Sequence, residues 1–167
     1  MKRKITLTIL SFVFAAMIGL ASASFANAAS DDATSDVTFD IISAIEVTAT
    51  TATYDFSDVS PASSPVTQTD AATINVKSNS SWSLDAQANS ANFTGGANDK
   101  PFSDLEVYDE DLTTWNALSN AETKPVQDGS QTTNSGDDVA VDYRLTVDWD
   151  DDTGSYSGTI TYTGTTS

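Results

Sequence analysis

VAVDYRLTVDWDDDTGSYSGTITYT, residues 139–163, is the stretch whose reading decides the fold. Val139, Val141, Tyr143, Leu145, Val147 and Trp149 share one parity, and Ala140, Asp142, Arg144, Thr146 and Asp148 share the other. Successive side chains of a strand point to opposite faces, so this period of two predicts a strand with one buried face. Beyond the acidic run, Tyr156, Gly158, Ile160 and Tyr162 alternate in the same way with Ser157, Thr159, Thr161 and Thr163. Asp and Gly between two such runs predict a hairpin, with Trp149 and Tyr156 facing the core beside the turn.

The same alternation recurs along the chain. Val37, Phe39, Ile41, Ile45, Val47 and Ala49 predict one long strand, bent near Ser43. Tyr54 and Phe56 mark a short second one before Pro61 and Pro65 break the pattern. Ala72, Ile74 and Val76, then Trp82, Leu84, Ala86 and Ala88, predict two more strands around "SNSS". "FSDLEVY" and "TTWNALS" flank an acidic tip, Asp109-Glu110-Asp111. "KPVQDGSQTTNSGDD", residues 124–138, reads as a long polar connection. Nothing after the first 28 residues sustains a helical period with caps. The fold class is therefore all-β, an antiparallel Ig-like or pilin-like β-sandwich of about seven to nine strands, forming a single domain over residues 37–167.

Met1-Lys2-Arg3-Lys4 precedes an apolar run that ends in Ala26-Asn27-Ala28, the pattern of a secretory signal peptide over residues 1–28. Residues 29–36, "ASDDATSD", read as a flexible leader. The expected location is secreted, extracellular or cell-surface associated. The signal holds three of the seven basic residues and none of the 24 acids, so the mature charge is 4 − 24 = −20. Such a surface repels nucleic acid and anionic lipid, and neither is expected as a partner. It suits a saline medium or a cation-rich one.

The chain has no Cys and no His. That removes disulfides, the usual zinc, copper, haem and iron–sulfur sites, and Ser-His-Asp or Cys-His nucleophiles. No cofactor and no enzyme activity are expected, with calcium the open possibility. Asp148, Asp150 and Asp152 stand at positions 1, 3 and 5 of a calcium-loop pattern. The glycine comes one residue late, as Gly154, and Thr159 stands where the closing Glu belongs, so only a looser calcium site fits. The competing reading is a solvated turn. Carboxylate pairs within Asp109–Asp111 could be imagined as an acid and a base, but nothing in the sequence positions them. Among the aromatics, Trp115 lies in the least regular region and is the candidate ring for glycan binding. Trp82, Tyr143, Trp149 and Tyr156 fall on core parity. Lys77 beside Asn and Asp neighbours raises an amide cross-link, although its parity puts it on the wet face. Val37, Phe39, Ile41, Ile45 and Val47 either pair within their own sandwich or act as a donor strand for a neighbouring subunit.

"VTFDI", "TATYDFSDVSP", "ATINVKSNSSWSLDA" and "GSYSGTITYT" together resemble bacterial cell-surface β-sandwiches of two kinds. Trp82-Ser83-Leu84 matches the mid-domain motif of WxL-domain wall proteins, while Tyr162-Thr163-Gly164 stands where their second Trp-x-Leu belongs. The run from an N-terminal strand through a "DF" segment to the last strand is similar to spore coat U-like, pilin-like domains, which usually carry cysteines. The resemblance implies a non-enzymatic structural role at the cell surface. Its partners would be further copies, other surface proteins or wall polysaccharide, with no membrane after signal cleavage.

Overall fold

In a computed structural model, residues 34–51, 53–62, 64–96 and 99–167 are described; the expected signal peptide and the first part of the leader lie outside them. The chain divides into two units, Met1–Phe39 and Asp40–Ser167, and the strands found among the described residues all lie in the second. The strands are β1 (Ile45–Ala49), β2 (Val66–Ser78), β3 (Trp82–Ala88), β4 (Thr94–Gly95), β5 (Leu105–Asp109), β6 (Thr114–Ala117), β7 (Lys124–Gly129), β8 (Asp137–Leu145), β9 (Tyr156–Ser157) and β10 (Ile160–Thr166). The one helical element among the described residues is a 3₁₀ turn at Phe102–Asp104.

Two antiparallel sheets form the body, ordered β1-β2-β8-β5-β6 and β10-β3-β7, and a two-stranded ribbon pairs β4 with β9. Each main sheet turns one parity inward. Ile74, Val76, Val107, Val139 and Val141 of the larger sheet meet Trp82, Leu84, Ala86 and Val126 of the smaller one in a single buried cluster. The fold is therefore an all-β sandwich, as the alternation predicts. Its cohesion is apolar burial, about 1.5–3 kcal/mol for each fully buried large aliphatic side chain.

Four expectations are corrected. The run over residues 139–163 is not a hairpin. β8 pairs β2 and β5 in the larger sheet, whereas β10 pairs β3 in the smaller one, Ile160 opposite Ala88 through Thr166 opposite Trp82. Residues 146–159 cross between the layers. Tyr143 and Tyr162 do face inward, and their hydroxyls hydrogen-bond across the core. Burial raises the pKa of both phenols, with the hydrogen bond between them opposing this at Tyr143, so both stay neutral, one donating and the other accepting.

The polar stretch 124–138 contains a strand. β7 pairs β3 through a bulge between Leu84 and Asp85, and buries Val126 completely. As an edge strand it needs one inward residue, tolerates Pro125 and keeps polar side chains elsewhere, so its composition reads as a loop.

The long N-terminal strand is short. β1 pairs β2 from Ile45 opposite Ser78 to Ala49 opposite Ile74, and the ladder stops where β2 stops. Asn79 then turns the chain: its Oδ1 accepts from the Ala44 N–H at 2.8 Å and its Nδ2 donates to the Ile42 carbonyl at 2.8 Å. Among the described residues no strand pairs with residues 37–44. Tyr54 and Phe56 likewise form no strand. They pack edge to face, with Tyr54 leaning on Tyr143.

Candidate functional site

Val37, Phe39, Ile41 and Ile42 are 78–81% exposed. They belong to no strand, and Thr38 and Asp40 alternate with the first three. Four large apolar side chains in water along one short extended segment are unusual for a soluble domain, whose exposed apolar residues are normally scattered. Of the five residues read as a donor strand, Ile45 and Val47 are already committed to β1 and pack on their own core. Val37, Phe39 and Ile41 are not.

The two flanks of the sandwich are covered unequally. On the β6 and β7 side, Val107, Leu118 and Val126 are fully buried. On the β1 and β10 side, Ile45, Val47, Ile160 and Tyr162 are only half-buried. β1 and β10 are the outer strands of their sheets there, and among the described residues neither edge has a ladder partner. The layers still touch: a Cβ added at Gly164 would lie 2.5 Å from Val47 Cγ2 and 2.7 Å from Ile45 Cδ1. A groove of about 520 Å³ opens at this end, lined by residues 44–46, 77–79 and 131–134. Lys77 there pairs with Glu46 at 3.7 Å and is half-buried.

The acidic crossing is built differently from a metal loop. Asp151, which the calcium pattern skips, organises it. Its Oδ2 accepts from the Asp148 N–H at 2.8 Å and from Lys100 Nζ at 2.6 Å. The Asp151 N–H donates back to the Asp148 carbonyl, and the Tyr156 hydroxyl donates to the Asp152 carbonyl. Asp148, Asp150 and Asp152 are not gathered into a site: among the described residues no three His, Cys, Asp or Glu side chains converge to hold a metal. Asp109 caps its own turn, accepting from the Asp111 and Leu112 N–H groups.

Lys100 is the residue that sequence reading missed. It is nearly fully buried and contacts both Asp151 and Asp104. Burial works against its charge, but the hydrogen bonds to the two carboxylates outweigh this and raise its pKa. Burial likewise opposes the Asp151 charge, and Lys100 and the Asp148 amide outweigh it, lowering that pKa. A lone Lys in the loop "GGANDKP" carries no periodic signal; the one local hint is Asp104 four residues on.

The exposed ring is Trp149, at 85%, and not Trp115. Core parity fails at Trp149 because β8 ends at Leu145. Trp115 is half-buried, with Tyr108 at 5.1 Å on one side and the Arg144 guanidinium 4.8 Å from its ring centre. Arg144 is fixed there by Glu106 at 2.6 Å.

No family model matches this chain, and no curated protein matches it in sequence. What the fold defines is an all-β sandwich with a half-covered flank.

Proposed function

We propose that the protein is a secreted, non-enzymatic structural component of the cell surface, a subunit that associates with further copies by lending residues 37–42 as a strand. The observation that carries the reading is the exposed alternation of Val37, Phe39 and Ile41 in a chain whose sandwich has an under-covered flank. An added strand gains main-chain hydrogen bonds along an edge, and its alternate side chains fill the apolar seam. The N-terminal signal pattern and the resemblance to pilin-like and wall-associated Ig-like sandwiches support the same role. The absence of His and Cys from the sequence supports a non-enzymatic one.

Sedimentation and electron microscopy of the purified mature protein test this. The native chain forms concentration-dependent oligomers or filaments, and Phe39→Asp with Ile41→Asp leaves a folded monomer. Equal oligomer sizes for the two proteins would refute strand donation.

A binding module is the second reading, and the 85% exposed Trp149 beside the acidic crossing is what favours it. Under it, millimolar calcium or a wall polysaccharide raises the melting temperature, and Trp149→Ala removes the polysaccharide effect.

A further inference from the structure

The crossing between the two sheets is tied at both ends. The Thr146 N–H donates to the Asp104 carbonyl, and the Thr159 carbonyl accepts from the Asn89 N–H. Residues 148–158 run between these ties as a strap. Asp151, Asp152 and Tyr156 are half-buried in it and the rest are exposed. The strap lies close on the loop before the 3₁₀ turn. A Cβ added at Gly154 would be 2.7 Å from the Gly96 Cα. One added at Gly158 would be 2.3 Å from a carbon of the Phe102 ring and 2.9 Å from one of the Phe93 ring. Those rings stack at 4.2 Å, and Phe102 is fully buried.

One ammonium holds the strap to that loop. Lys100 Nζ lies 2.6 Å from Asp151 Oδ2 in the strap and 2.9 Å from Asp104 Oδ2 in the 3₁₀ turn. The same Asp151 oxygen accepts from the Asp148 N–H at 2.8 Å, so it joins the ammonium to the strap's own backbone. The lysine side chain is 5% exposed, and Asp151 and Asp104 are the charged groups that act on it. Asp148, Asp150 and Asp152 add like charge beside Asp151, which favours opening once the ammonium no longer binds it.

We infer that residues 148–158 form an acid-released strap: the Lys100–Asp151 contact holds it over Phe93 and Phe102, and protonation of Asp151 lets it lift while the two sheets stay folded. Neutralising Asp151 leaves a buried ammonium short of a partner, a larger loss than that of an exposed pair. Burial opposes the charge of Lys100 and of Asp151, and their hydrogen bonds outweigh it, raising the first pKa and lowering the second. The Asp151 contribution is therefore complete above 3.8 and is lost as pH falls through its lowered value, while Lys100 stays charged throughout. The sheets respond the other way. Their apolar burial does not titrate, and acid relieves both the burdened Asp85 and the mutual repulsion of the 24 acids. The strap has little of its own to resist with: few half-buried side chains and, in β9, a ladder of two pairs.

The strap does not depend on the proposed assembly. Amide exchange of the purified protein, read by NMR from about pH 7 down to about pH 2 and corrected for intrinsic rate, tests it. The Asp151 amide and the ladder amides of β4 and β9 should lose protection about tenfold or more below pH 3.8, while those of β3 and β8 keep theirs. In Lys100→Met the same loss should already be present at neutral pH. Strap amides that stay protected to the lowest pH, or that lose protection only together with β3 and β8, would overturn the inference. So would a folded Lys100→Met with native protection in the strap. If that variant does not fold, the wild-type series decides alone.

Discussion

At Gly129 the backbone of β7 runs directly over the Trp82 ring, and an added Cβ would lie 2.2 Å from two of its carbons. Trp82 is 97% buried and has nowhere to retreat. Gly129→Ala should therefore cost about 1–3 kcal/mol in chemical denaturation, the usual penalty of overpacking. Asp85 offers the opposite case. Burial, and then the charge of Asp128 on the neighbouring strand, raise its pKa from 3.8. A carboxylate with a raised folded pKa opposes folding above that value, and the cost fades as pH falls through it toward 3.8. Asp85→Asn should add about 0.5 kcal/mol at pH 7, a figure already reduced for solvent screening, and nothing in strong acid. Melting curves at two pH values check both halves. An unchanged difference across the pH range would mean that Asp85 acts through packing and not through charge.

Among the elements, β3 was the most legible. Trp82, Leu84, Ala86 and Ala88 alternate in sequence, and all four are buried. β8 was equally clear up to Leu145. What alternation cannot report is the partner, because a strand shows the same period in either layer. The run over residues 139–163 therefore looked like a hairpin, although its two halves lie in different sheets. β7 was missed because an edge strand with a single inward residue has no period to detect. Val126→Ala tests that element. Its loss of a fully buried branch should cost about 2 kcal/mol and speed hydrogen exchange over residues 124–129, whereas a mobile connection would show neither effect. The candidate site was legible in part. The apolar parity of residues 37–41 was plain, but where the pairing stops depends on the end of β2 and on Asn79, both distant in sequence. Lys100 gave no signal, since its partners Asp104 and Asp151 meet only in the folded chain.

For the whole molecule, charge and coverage set the terms. Lys77, Lys100, Lys124 and Arg144 are each engaged in an ion pair. Over residues 29–167 acids outnumber bases 24 to 4, so the fold repels itself. The melting temperature should rise as monovalent salt is added, through screening alone. Repulsion also acts between copies, so strand donation should strengthen with salt as well. The central claim is that residues 37–42 become a strand on another copy, and hydrogen exchange measured over a dilution series tests it most directly. Amides at residues 38–41 should exchange like unstructured chain at low concentration and become protected as oligomers form, together with those of β1 or β10. Amides at residues 38–41 that stay unprotected while the protein assembles, or that are equally protected at every dilution, would contradict the account.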